Sequence, residues 1–124
     1  MRHTVYILGS AQDAGLPQFA SRAAPDMAAR LDPLCERLGP SLAVLAEDGH
    51  CLLIDVSPDI KEQEKRLLKL PGFRGINAIA LTHAHIGHYA GLVGVYVGGA
   101  SHGSTSSPSR VHHSRILAAS MPTV

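Results

Sequence analysis

Three histidines, His83, His85 and His88, stand in the pattern H-x-H-x-x-H. Neutral imidazole nitrogens are ligands for zinc and other borderline metals. On an extended strand end His83 and His85 point to the same side. A turn after them brings His88 in from the start of a following helix. Three nitrogens leave a coordination position open for water, and a bound metal lowers the pKa of that water toward neutrality and makes it a nucleophile. The plainer alternative is three surface or half-buried histidines, one of them hydrogen-bonded in the core. Placement favours ligation, because the triad follows the apolar run NAIAL at 77–81 directly and precedes Gly91 and Gly94.

The other chemically capable residues carry weaker signals. Asp55 closes the apolar run CLLID, where a carboxylate is costly unless it is paired or hydrogen-bonded. Support for a metal site and a plain structural role fit it equally. Asp13 sits in a turn-forming loop and His50 at a hairpin tip. Cys35 and Cys51 have no paired spacing and read as free thiols. Gly9 and Gly15 suit tight turns, and no glycine pattern of a nucleotide site is present.

The elements that must position these groups follow from pattern. HTVYILG, residues 3–9, reads as a strand ending at a Gly-Ser turn. Met27, Leu31, Leu34, Cys35 and Leu38 have helical spacing interrupted by Pro33, so 24–38 reads as a short helix or irregular loop. SLAVLA and CLLIDV flank Asp48-Gly49, a hairpin signal. Ser57-Pro58-Asp59 reads as a helix start, with Ile60, Leu67 and Leu68 as its apolar face and Glu62 and Arg66 paired on the solvent side. Pro71-Gly72 stops it. The stretch HYAGLVGVYVGG fits helix or strand. This mixed order favours α/β layers. Residues 101–124 hold seven serines and no acid and read as a poorly ordered tail, so residues 1–100 form the folded unit.

Composition narrows the function classes. The chain has 124 residues, 17% of them charged and 45% apolar, enough for one aliphatic core. No apolar run approaches the length of a membrane span, and the N-terminal apolar stretch is short for a secretory signal. With two cysteines and no disulfide framework, the expected setting is the cytoplasm. Charge is split: residues 1–64 carry all ten acids against five Lys/Arg, whereas 65–124 carry six Lys/Arg and no acid. Those six are dispersed and lack interleaved aromatics, so neither nucleic acid nor membrane is the expected partner.

LLID at 52–55, the following helix and strand, and THAHIGHYAGL at 82–92 resemble the metallo-β-lactamase fold superfamily. The opening ILGSAQDAGLPQ is similar to the branch of the coenzyme PQQ synthesis proteins B. The resemblance covers about residues 4–97 and implies the front half of an αββα sandwich, with a metal at the edge between its sheets. It also implies the motif H-x-H-x-D-H. His83 and His85 then fall in the first metal site and His88 in the second. The aspartate position is Gly87, which has no ligand atom, so one zinc ion is expected rather than two. The later His, bridging Asp and last His of the superfamily have no counterpart here. His102, His112 and His113 read as solvated tail residues.

The expected function is therefore that of a zinc-dependent hydrolase, with metal-bound water attacking a carbonyl or phosphoryl centre of an unidentified small-molecule substrate. A truncated, non-catalytic half-fold is the alternative from a different class. Half a sandwich leaves apolar sheet surface uncovered, which points to self-association or a partner chain. A simple metal-binding protein needs only the three histidines.

Overall fold

The computed structural model describes residues 2–95 and the backbone of residues 115–118. Its strands are β1 (His3–Gly9), β2 (Ser41–Ala46), β3 (His50–Ile54), β4 (Gly75–Leu81) and β5 (Arg115–Ala118). They form one five-stranded sheet in the order β1-β2-β3-β4-β5. β1, β2 and β3 pair antiparallel, whereas β4 and β5 continue the sheet in parallel with β3. The helices are α1 (Ala24–Leu31), α2 (Ile60–Leu67) and α3 (Ile86–Tyr89), with 3-10 turns at Pro33–Cys35 and Ala90–Gly94. The expected mixed α/β architecture is present. The boundary at residue 100 and the rest of the serine-rich tail, with His102, His112 and His113, lie outside the described residues.

Strand alternation puts one set of side chains on the core face. Tyr6 pairs with Ala43, Ala43 with Leu53, and Leu53 with Ile79, giving one row across four strands. Leu8, Leu45 and Cys51 join it, and α2 covers the layer with Ile60 and Leu67. Burial pushes the Cys51 thiol up to about 11. The opposite row starts at Val5 and Ile7, which are 60% and 70% exposed on the outer strand. The β2–β3 hairpin turns at Gly49, whose φ of +88° is the left-handed geometry expected of the Asp-Gly pair.

Three local expectations change on folding, and one holds. The helix begins at Ile60 rather than at Pro58. The Ser57 hydroxyl accepts the Asp59 N–H at 3.3 Å and the buried amide of Gln63 at 2.8 Å, and Asp59 accepts from the Gly39 N–H at 2.7 Å. The inner face of α2 is Ile60, Gln63 and Leu67, while Leu68 is 67% exposed. Arg66 does not pair with Glu62. Its guanidinium donates to the Leu8 carbonyl at 2.9 Å, a backbone acceptor in β1, and Glu62 pairs with Lys65. Segment 24–38 is the expected short helix, ended by Asp32-Pro33 and followed by a 3-10 turn, and it leaves Leu31 and Leu34 each 84% exposed.

Candidate metal centre

β3 and β4 are parallel neighbours, so their C-terminal ends lie side by side, the usual place for a ligand in such a sheet. β3 ends at Ile54 and β4 at Leu81. The Asp55 N–H donates to the Ala80 carbonyl at 2.8 Å, continuing the pairing one residue further. The chain then turns, with Asp55 at φ +60°. That left-handed conformation suits Asp and Asn better than other side chains. It delivers a carboxylate that is only 5% exposed to the start of the His segment.

The carboxylate is fully engaged there. It accepts the Thr82 N–H at 2.8 Å and the Thr82 hydroxyl at 3.0 and 2.8 Å, and Asp55 Oδ2 lies 2.8 Å from His88 Nδ1. Burial pushes the Asp55 carboxyl up. The Thr82 amide, the His88 ring and the Thr82 hydroxyl more than offset this and hold it below the usual carboxylate range. Of its two roles left open by sequence, support of the histidine site is the one its contacts serve.

α3 is held against this corner by backbone pairing. Val56 N–H donates to the His88 carbonyl at 2.7 Å, and Gly91 N–H to the Val56 carbonyl at 2.9 Å. A Cβ at Gly91 would stand 2.0 Å from the Ser57 carbonyl oxygen, so only glycine admits this approach.

The sequence motif thereby becomes a cluster. Candidate ligand atoms of His83, His85 and His88 all lie within 4.8 Å of one another. Ring centroids are 4.1 Å apart for His83 and His88, 5.9 Å for His83 and His85, and 6.1 Å for His85 and His88. His83 and His85 are exposed and His88 is half-buried, so the cluster opens to solvent. Each ring has an oxygen at Nδ1. The Thr82 hydroxyl is 2.9 Å from that of His83, Asp13 Oδ1 is 3.1 Å from that of His85, and Asp55 serves His88. Hydrogen bonding at Nδ1 leaves the Nε2 lone pairs of His83 and His88 free for a cation, and Asp13 lies at ion-pair distance from His85. This donor set fits zinc, which takes imidazole nitrogens in sites that keep one position open.

Asp13 is the residue that sequence reasoning undervalued. With Ser10, Ala11, Gln12 and Pro40 it lines the open depression above the three histidines. A signal did exist: Gly87 lacks the carboxylate that the resemblance implies, and another acid had to be sought for that place. His50 pairs with Asp48 at the hairpin turn. Cys51 is in the core and Cys35 lies in the 3-10 turn, so neither cysteine joins the site. Among the described residues no helix is long and apolar enough to cross a membrane.

Comparison with known proteins agrees with this geometry. Residues 37–96 match the family model of the metallo-beta-lactamase superfamily. The chain is 39% identical over 98 residues to coenzyme PQQ synthesis protein B of Methylobacterium radiotolerans, covering 72% of this chain and 32% of that protein. A diphosphatase of the PhnP family superposes with a TM-score of 0.61 at 37% identity, over 76% of this chain and 34% of the other. Zinc-bound PqqB of Methylobacterium extorquens superposes with a TM-score of 0.62 at 32% identity, over 75% and 36%. The chain thus spans about a third of the length of these relatives. Its N-terminal part thus resembles the metallo-beta-lactamase superfamily, and proteins named coenzyme PQQ synthesis protein B are among its relatives.

Proposed function

We propose that this chain carries the zinc-binding front half of a hydrolase site of the metallo-beta-lactamase superfamily. The observation that carries the reading is the convergence of three imidazoles whose Nδ1 atoms are each met by an oxygen. His83, His85 and His88 would hold the metal, which supplies a Lewis acid and an activated water when bound. Thr82 and Asp55 meet the Nδ1 atoms of His83 and His88 and so fix the orientations of those rings. A superposing diphosphatase supports a phosphoryl centre as the reacting group, and a superposing zinc-bound protein supports the metal.

The test is zinc content and turnover of the purified chain. One tightly held zinc per chain, with hydrolysis of a generic phosphodiester or ester abolished by His83→Ala, supports the reading. Absence of zinc refutes it.

A second reading is favoured by one specific observation: Val5 and Ile7 on the outer strand are 60% and 70% exposed. Zinc binding without turnover marks a metal-binding half-fold. The outward Val5 and Ile7 then make self-association or a partner chain the expected behaviour, read as a concentration-dependent mass in solution.

A further inference from the structure

Gly87 is buried at the start of α3, and the space beside it is already taken. A Cβ built there would lie 2.4 Å from Asp13 Oδ1, 2.5 Å from Asp13 Cα and 2.7 Å from Asp13 Cβ. The absent side chain at 87 and the carboxylate at 13 therefore occupy one volume. Asp13 comes from the loop after β1, more than seventy residues earlier in the chain. Its backbone φ is +28°, outside the usual range for a residue with a side chain. The loop is tied down on both sides of it. Ala11 N–H donates to the Leu38 carbonyl at 3.0 Å, and Leu16 and Arg37 exchange backbone hydrogen bonds at 2.6 and 2.9 Å. The carboxylate is thus held in place, and Asp13 Oδ1 stands 3.1 Å from His85 Nδ1.

We infer that Asp13 is a positioning residue of the metal site, admitted by the gap at Gly87 and acting on the cation through His85. The inference rests on the metal reading above and deepens it. His83 and His88 take their orienting oxygens from Thr82 and Asp55, which belong to the same strand ends. His85 has no such neighbour there and takes its oxygen from across the depression. A carboxylate at Nδ1 fixes the tautomer, raises the basicity of Nε2 and holds the ring plane. Glycine at 87 is then a requirement of the site, since any Cβ displaces Asp13.

Two variants remove the contact from opposite sides. Asp13→Gly deletes the carboxylate and tolerates the positive φ, and Gly87→Ala expels the carboxylate while leaving every donor atom in the chain. Zinc affinity is measured by competition with a chromophoric chelator, and ring tautomers by 15N shifts of the metal-free imidazoles. Circular dichroism and melting in chelator verify the fold. Both variants are expected to bind zinc about ten- to a hundredfold more weakly at unchanged stoichiometry, the usual effect of losing such a partner. His85 is expected to lose its Nδ1–H tautomer while His88 keeps its own. Asp13→Asn, which retains an oxygen, is expected to lose less.

Zinc affinity within twofold of the parent in either variant overturns the inference and leaves the metal reading intact. A drop in the number of ions bound per chain also overturns it, because Asp13 would then sit on a cation directly. A parent chain that binds no zinc overturns the metal reading itself.

Discussion

Replacing Asp55 tests whether the site is built from the strand ends outward. Its carboxylate receives the Thr82 N–H, the Thr82 hydroxyl and His88 Nδ1. Asp55→Ala leaves all three without an acceptor and puts alanine at φ +60°. Hydrogen bonds to a charged group contribute about 1.5–3 kcal/mol each, but they share one acceptor and are not additive. Thr82 is exposed and regains water, so the groups at Thr82 recover part of the loss. The left-handed backbone adds about 1–2 kcal/mol for alanine. The expected cost of Asp55→Ala is therefore about 3–4 kcal/mol of folding stability. Asparagine tolerates the backbone and keeps one acceptor oxygen, so Asp55→Asn should cost about 1–2 kcal/mol. Urea unfolding at pH 7 in excess chelator reads both values. Zinc competition on Asp55→Asn, which stays folded, should show binding about ten- to a hundredfold weaker. Equal destabilisation by the two variants, or unchanged zinc affinity, would refute the reasoning.

Two further outcomes follow from the same geometry. Gly91→Ala forces a Cβ against the Ser57 carbonyl and should cost at least about 1–3 kcal/mol, whereas Gly72→Ala, with open space around it, should show only backbone strain of about 1 kcal/mol; parallel urea titrations compare them. Asp55 and Asp26 are both held below their ordinary range, Asp26 by the Ser21 hydroxyl and the Gln18 N–H. Their stabilisation is present above the unfolded carboxyl value and is lost as pH falls through the folded one. The urea midpoint of the metal-free chain should therefore fall once pH drops below about 4, and Asp55→Asn should flatten that fall.

Much of this was legible locally. The Asp48-Gly49 turn fixed the β2–β3 hairpin, and the apolar run before Thr82 announced a strand leading into three histidines. Long-range partners were not legible. Arg66 could be paired with Glu62 on spacing alone, because nothing in a helix sequence says that a carbonyl of β1 lies within reach. Leu31 and Leu34 have helical apolar spacing, yet both stand in solvent, which spacing alone does not reveal. Asp13 is the clearest instance. Its value depends on a missing side chain at 87, and that relation exists only once the loop after β1 and α3 meet. The resemblance to a known superfamily identified the gap at Gly87, but did not reveal what fills it.

The loop that borders the depression is fastened indirectly to α2. Leu38 and Arg37 hold it, and the adjacent Gly39 is gripped by Asp59 through its N–H and by Gln63 through its carbonyl. The rim beside the histidines thus borrows rigidity from α2. Fraying of the first turn of α2 would slacken the rim, so a change on the remote surface of that helix can loosen the loop that carries Asp13 without touching any of the three histidines.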